Sequence, residues 1–266
     1  MSTLTISTIQ TVLHWEDKSA NFRMLEEKIK AIQQRTELVI LPEMFSTGFS
    51  MKAVELAEDM NGETVRWMKQ VSAERKIVLT GSAIIEENGK YFNRLLWVLP
   101  NGTIGVYDKR HRFAFAGEDE HFTAGSKRLI ASLKGWKILP LVCYDLRFPV
   151  WARQSGFNGD GEGPEYDLLI YVANWPERRI HAWKTLLQAR AIENQAFVIG
   201  VNRTGEDGNQ IHYCGDTMVV DPLGEVLYQQ HEKEDVHTLT IDKSHLDQVR
   251  ARFPFWKDAD RFKIDV

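Results

Sequence analysis

The sequence predicts an α/β protein, and three observations carry that reading. Short apolar runs, Glu37-Leu-Val-Ile-Leu41 and Asp167-Leu-Leu-Ile-Tyr-Val172, have the length and character of strands buried on both faces. Apolar residues at helical spacing follow elsewhere, as at Phe22, Leu25, Ile29 and Ile32. Tight-turn dipeptides, Asn88-Gly89, Asn101-Gly102 and Lys134-Gly135, punctuate the middle of the chain where a linker would otherwise stand. The two apolar runs each end in a polar turn leading toward a helix. Two such β–α halves packed sheet against sheet, with helices outside, make four layers, αββα; a doubly wound single sheet satisfies the same pattern.

In order along the chain, residues 3–9 read as a strand and a helix follows from about 17. The 37–41 run is the next strand, and a second helix spans Thr64 to about Glu74. The turn dipeptides make the middle third strand-rich and largely antiparallel, because Asn-Gly accepts positive φ at both central positions. The 167–172 strand leads to a helix near 180–194 and a strand at 197–201. Strands return around 211–229. A last helix near 243–251 precedes an aromatic tail, Phe253-Pro-Phe-Trp256. No composition shift divides the chain, so one domain over 1–266 is expected.

The bulk properties exclude several classes of function. With 266 residues, 43% hydrophobic and 26% charged, the composition is that of a globular protein, and a net charge of −4 offers no basic surface for nucleic acid or anionic membrane. No apolar run approaches the roughly 18 residues of a membrane span, and Met-Ser-Thr-Leu-Thr-Ile-Ser-Thr-Ile-Gln at the start lacks the pattern of a secretory leader. A cytoplasmic protein is expected. Two cysteines, Cys143 and Cys214, cannot make a disulfide framework. No Cys/His spacing suits a metal and no glycine-rich loop suits a nucleotide, so no metal and no cofactor are expected.

Three segments look unlike ordinary core. In Leu41-Pro42-Glu43-Met44-Phe45 a carboxylate stands just beyond a buried strand, where α/β proteins place working groups; on position alone, a solvated loop glutamate is the commoner case. Tyr107-Asp108-Lys109-Arg110-His111-Arg112 is a basic cluster that also reads as a solvated turn. In Leu141-Val142-Cys143-Tyr144-Asp145-Leu146-Arg147 a cysteine ends an apolar run; taken alone it is a structural thiol, since free cysteine packs as a small hydrophobe. Together the three assemble a reaction. A thiol with pKa near 8.5 needs help to ionise, which a lysine gives by charge and a carboxylate by accepting the proton. The lysine and a backbone N–H such as that of Tyr144 can then face an oxyanion, and Glu43 can serve as acid and base. No histidine is required.

At these segments the chain resembles the nitrilase superfamily of carbon–nitrogen hydrolases, whose order of glutamate, lysine, cysteine stands here as Glu43, Lys109 and Cys143. The resemblance continues through Ala173-Asn174-Trp175-Pro176, the helix Gln188-Ala-Arg-Ala-Ile-Glu-Asn194 and Gly215-Asp216-Thr217-Met218-Val219-Val220-Asp221-Pro222. It implies the αββα fold over nearly the whole chain, and a homodimer whose interface the tail from about 250 to 266 would help to cover. It also implies a second glutamate after the lysine. Glu118, Asp119 and Glu120 compete for that place, Glu118 having the best spacing, against the reading of an acidic surface loop.

The segments around Lys109 and Cys143 further resemble the omega-amidase branch, which implies a small dicarboxylic monoamide such as 2-oxoglutaramate or 2-oxosuccinamate as substrate. A substrate ending in carboxylate calls for a guanidinium fork, and Arg147 is the candidate, with a structural ion pair as the equal alternative. Tyr144 and Trp175 are candidate pocket walls, although most of the eight tryptophans must be core. The same nucleophile would serve an N-carbamoyl amino acid hydrolase or a nitrilase, and a silent binding protein on this fold is the remaining class. Cys214, in a strand-like stretch without a base motif, reads as structural.

Overall fold

The computed structural model describes residues 2–154, 157–158, 161–260 and 262–265. Its strands are β1 (Thr3–Gln10), β2 (Leu38–Ile40), β3 (Val78–Glu87), β4 (Lys90–Val98), β5 (Ile104–Asp108), β6 (Ala131–Leu133), β7 (Trp136–Val142), β8 (Phe157–Asn158), β9 (Gly161–Glu162), β10 (Leu168–Ala173), β11 (Phe197–Asn202), β12 (Thr204–Glu206), β13 (His212–Val220), β14 (Val226–His231) and β15 (Asp235–Asp242). The helices are α1 (Lys18–Lys30), α2 (Ala53–Leu56), α3 (Glu63–Arg75), α4 (Glu118–His121), α5 (Pro149–Ala152), α6 (Ile180–Asn194) and α7 (Lys243–Arg252).

Two mixed sheets form, ordered β15-β1-β2-β3-β4-β5 and β12-β13-β11-β10-β7-β6, with β14 paired to β13. Period-two alternation decides what each strand faces. On β2, Leu38 and Ile40 join the apolar layer between the sheets with Ile138, Leu168 and Ile170, while Val39 and the following Leu41 pack under the helices. Phe22, Leu25 and Ile29 of α1, with Val65, Met68 and Val71 of α3, cover the outer face of the first sheet. Trp183 and Leu187 of α6 cover the second. Burial of one such large apolar side chain contributes about 1.5–3 kcal/mol. The result is αββα, and the doubly wound alternative does not occur.

Tight turns set the strand directions. Asn88 and Gly89 both take positive φ, 55° and 73°, and so do Lys134 and Gly135, 50° and 82°. Both therefore follow the two-residue hairpin expectation. At 101–102 only Gly102 is left-handed, and the connection is a longer loop closed by the Leu99 N–H on the Thr103 carbonyl. Strand β15, antiparallel to β1 from Thr3↔Asp242 to Gln10↔Asp235, is an element the sequence pattern left unmarked. Its residues are mostly half-buried, so its apolar alternation is diluted. Phe255, in the aromatic tail, is exposed.

Direction matters for the site. β2 runs parallel to β3, and two antiparallel steps through β4 bring β5 back to the same direction. In the other sheet β7 and β10 are parallel, with Val142 beside Val172. The C-terminal ends of β2, β5, β7 and β10 deliver Glu43, Lys109, Cys143 and Asn174 respectively.

Candidate active site

Two of these strand ends turn sharply. Cys143 follows β7 with φ +43°, a left-handed backbone that costs a non-glycine residue free energy and here begins the 3-10 turn Cys143–Arg147. Asp145, two residues on, holds that turn. Its carboxylate accepts the Val142 N–H at 3.0 Å, the Tyr107 hydroxyl at 2.7 Å and the His111 N–H at 3.0 Å. Tyr144 is the second residue of the turn, where backbone N–H groups have no partner within the turn. Met44, beside Glu43, is likewise left-handed at φ +43°.

Glu43, Lys109 and Glu118 form one buried cluster, none more than 1% exposed. Lys109 Nζ donates to Glu43 Oε1 at 2.8 Å and to Glu118 Oε1 and Oε2 at 2.9 and 2.8 Å. Of the three competing acids, only Glu118 points inward; Asp119 and Glu120 are exposed. Glu118 also accepts the Phe113 N–H. The solvated-loop readings of Glu43, Lys109 and Glu118 fail on burial.

Two asparagines that the motifs did not single out complete the cluster. Asn93 Nδ2 donates to Glu43 Oε1 at 2.8 Å and to Glu118 Oε1 at 3.1 Å. Asn174 binds Glu43 twice, its backbone N–H on Oε2 at 2.8 Å and its Nδ2 on the Glu43 carbonyl at 2.6 Å, which ties the two sheets together. Asn174 lies within the quoted 173–176 segment, but Asn93 sits mid-strand without local signal.

The electrostatics follow from burial of two carboxylates with one ammonium. Burial opposes the charge on Lys109, but Glu118 and then Glu43 outweigh it and hold the lysine well above its ordinary pKa. Burial raises Glu118, against the pull of Lys109. The Cys143 thiol is pushed well up, by burial first and the Glu43 charge next, with Lys109 pulling the other way. The lysine alone therefore does not make a standing thiolate. Burial and the Glu43 charge favour the protonated thiol, whose Sγ lies 3.9 Å from the Asn174 carbonyl.

Cys143 and Lys109 line a pocket open to solvent, with Phe113, Tyr144, Arg147 and Trp175 among its walls. The sequence candidates thus meet in one place. The Arg147 guanidinium lies 5.0 Å from the Trp175 ring centre and makes no ion pair among the described residues, so the structural-pair alternative is not what forms. Trp175, 2% exposed, donates its indole N–H to the Arg179 carbonyl at 2.8 Å. The Tyr144 ring meets Phe113 and Phe148 edge-on.

Cys214 lies within β13, and its thiol faces Asp216 at 3.6 Å. Donor atoms of Cys214, Asp216 and His231 lie within 4.8 Å of one another, a grouping that two bonded strands create and spacing alone does not reveal. Asp216 is already served by His231 at 3.0 Å and by Gln229, with Lys184 at 4.0 Å, which makes this a satisfied polar network. Among the described residues, no helix is long and apolar enough to cross a membrane.

Residues 4–251 match the carbon–nitrogen hydrolase family model. The chain is 42% identical to the omega-amidase YafV of Escherichia coli K12, over 99% of this chain and all of that protein. It is 30% identical to a 2-oxoglutaramate amidase of Bacillus subtilis, over 96% of each. A crystal structure of a CN-hydrolase superfamily protein from Xanthomonas campestris, with an arsenic adduct in its active site, superposes with a TM-score of 0.96 at 45% identity over the full length of both. The chain belongs to the carbon–nitrogen hydrolase family, on the omega-amidase branch of the nitrilase superfamily, and is a hydrolase of carbon–nitrogen bonds.

Proposed function

We propose that this enzyme is a cysteine-dependent amidase that releases ammonia from the terminal amide of small dicarboxylic monoamides, of which 2-oxoglutaramate and 2-oxosuccinamate are the models. Glu43 takes the Cys143 proton as Sγ attacks the amide carbon. The oxyanion faces Lys109 and the Tyr144 N–H. Collapse expels ammonia, which leaves with the proton held by Glu43, and an acyl-thioester remains. Glu43 next takes a proton from water, hydroxide adds to the thioester, and collapse returns the thiol and frees the acid. Glu118 and Asn93 fix the lysine and the glutamate in place. Arg147 receives the substrate carboxylate.

The observation that carries the reading is the 2.8 Å contact between buried Glu43 and Lys109, beside a pocket lined by Lys109, Cys143 and Arg147, the last without an ion pair among the described residues. The names of the relatives point to the same acyl group. The test is kcat/KM over a panel of amides, ureides and nitriles, since discrimination resides in transition-state binding. A preference for omega-monoamides supports the proposal; a preference for a ureide or a nitrile replaces it with an N-carbamoyl amino acid hydrolase or a nitrilase, and no turnover of any with a silent binding protein.

We also propose a single domain, a cytoplasmic setting that keeps Cys143 and Cys214 as the free thiols found here, and a homodimer for which the exposed tail supplies Phe255. Sedimentation of wild type against Phe255→Ser tests the last point.

A further inference from the structure

The pocket holds a second arginine that neither the motifs nor the mechanism has used. Arg179 ends the short 3-10 turn Glu177–Arg179, directly after the Ala173–Pro176 segment. It lines the same pocket as Cys143 and Arg147. Its guanidinium lies 4.8 Å from the Phe113 ring centre, as that of Arg147 lies over Trp175. The two arginines are joined through Trp175, which carries one guanidinium on its ring and holds the backbone carbonyl of the other with its indole N–H.

Among the described residues, neither guanidinium donates a hydrogen bond or forms an ion pair. The acids nearby are spoken for. Glu43 and Glu118 are bound to Lys109. Asp207, a pocket residue, accepts the Asn209 and Ile211 N–H groups on Oδ1 and the Tyr213 hydroxyl on Oδ2. Burial and the neighbouring Arg147 charge both work against the charge on Arg179. Two cations in a half-enclosed pocket with ring faces and no counter-ion are relieved by an anion that enters with the substrate.

We infer that Arg179 is a specificity-determining residue that forms, with Arg147, a two-guanidinium receptor for the carboxylate end of the acyl chain. Aromatic faces hold both forks in orientation, so the ordering entropy is partly spent before the ligand arrives. This rests on the reading of Arg147 above. It goes further in making a negative charge at the far end of the chain strongly preferred over a neutral amide, by two guanidinium groups in place of one.

The experiment compares succinamate with succinamide, which have the same carbon chain and differ in one carboxylate. Ammonia release gives kcat/KM for each with wild type, Arg179→Met, Arg179→Lys and Arg147→Met. Wild type should favour succinamate. Arg179→Met should lower that preference by about 10- to 100-fold, through KM, with the succinamide rate held within about twofold. Arg179→Lys should keep part of it. The unchanged neutral substrate reports that the site is intact. A preference lost in Arg147→Met but kept in Arg179→Met overturns this inference and leaves the substrate reading standing. An equal fall on both substrates in Arg179→Met makes Arg179 structural and overturns it too. No preference in wild type overturns the carboxylate reading itself. As a readout without turnover, alkylation of Cys143 by fumaramate relative to fumaramide, followed on its peptide by mass, should fall in Arg179→Met by a similar factor.

Discussion

The two cysteines make a controlled comparison within one molecule. Both are buried free thiols carried by the second sheet, and burial raises the pKa of each, with a carboxylate as the next cause. Cys214 is set within a regular strand, beside Asp216, and its pKa is pushed up to about 12. Cys143 is set one residue past the end of β7, on a left-handed backbone, with a pocket before it and Lys109 as counter-charge. The difference teaches that burial alone does not separate the two thiols. On the proposed mechanism, position at a strand end, a base that can accept the proton, and room for a substrate do.

The largest effect expected from this comparison is on turnover. Cys143→Ala should reduce ammonia release by about 10³-fold or more, while Cys214→Ala stays within about twofold of wild type. Steady-state assays on 2-oxoglutaramate check both. Glu43→Gln and Lys109→Met should each approach the Cys143→Ala loss, and adding either to Cys143→Ala should cost little more, because groups that act as a unit are not additive.

Thiol labelling sharpens the contrast next. Iodoacetamide should modify Cys143, which lines the open pocket with Glu43 beside it to take the proton, and leave Cys214, enclosed within β13, untouched below about pH 10. Since the Cys143 pKa is raised, its labelling should climb with pH through neutrality and not sit on a plateau, as it would for a preformed thiolate. Peptide mapping after timed quenching checks this.

How much of this arrangement the sequence disclosed depends on the distance over which each signal acts. Glu43, Lys109 and Cys143 each follow an apolar run, and strand ends are where function gathers, so local pattern and family order agreed on them. Glu118 could be ranked above Asp119 and Glu120 only by spacing; its inward orientation comes from Lys109, nine residues away. Asn93 was invisible because it is one polar residue on a strand, and its role arises when β4 lies between β3 and β5. Arg179 carries no signal for a related reason: adjacent Arg178 and Arg179 look alike in sequence, and only the fold turns one of them over Phe113. The αββα layering was open for the same physical cause. Strands such as 37–41 are buried on both faces in a single covered sheet and in a sandwich alike.

The smallest effect is on stability. Cys214→Ala removes a small buried side chain and should cost about 1 kcal/mol, seen as a modest fall in Tm. Its alkaline behaviour carries a definite sign. A thiol raised from 9.0 to about 12 in the folded state favours folding below its unfolded pKa, and that contribution is lost as pH rises from about 9 to 12. Cys214→Ala should therefore lose less stability than wild type across that interval, as denaturant titrations at each pH would report.

The central claim is that Cys143 carries the acyl group. It is tested most directly by rapid acid quenching during turnover of 2-oxoglutaramate, followed by intact-mass and peptide mapping. The account predicts one acyl adduct on the peptide containing Cys143, absent in Cys143→Ala. An adduct on Cys214, or ammonia release that survives in Cys143→Ala, would contradict it.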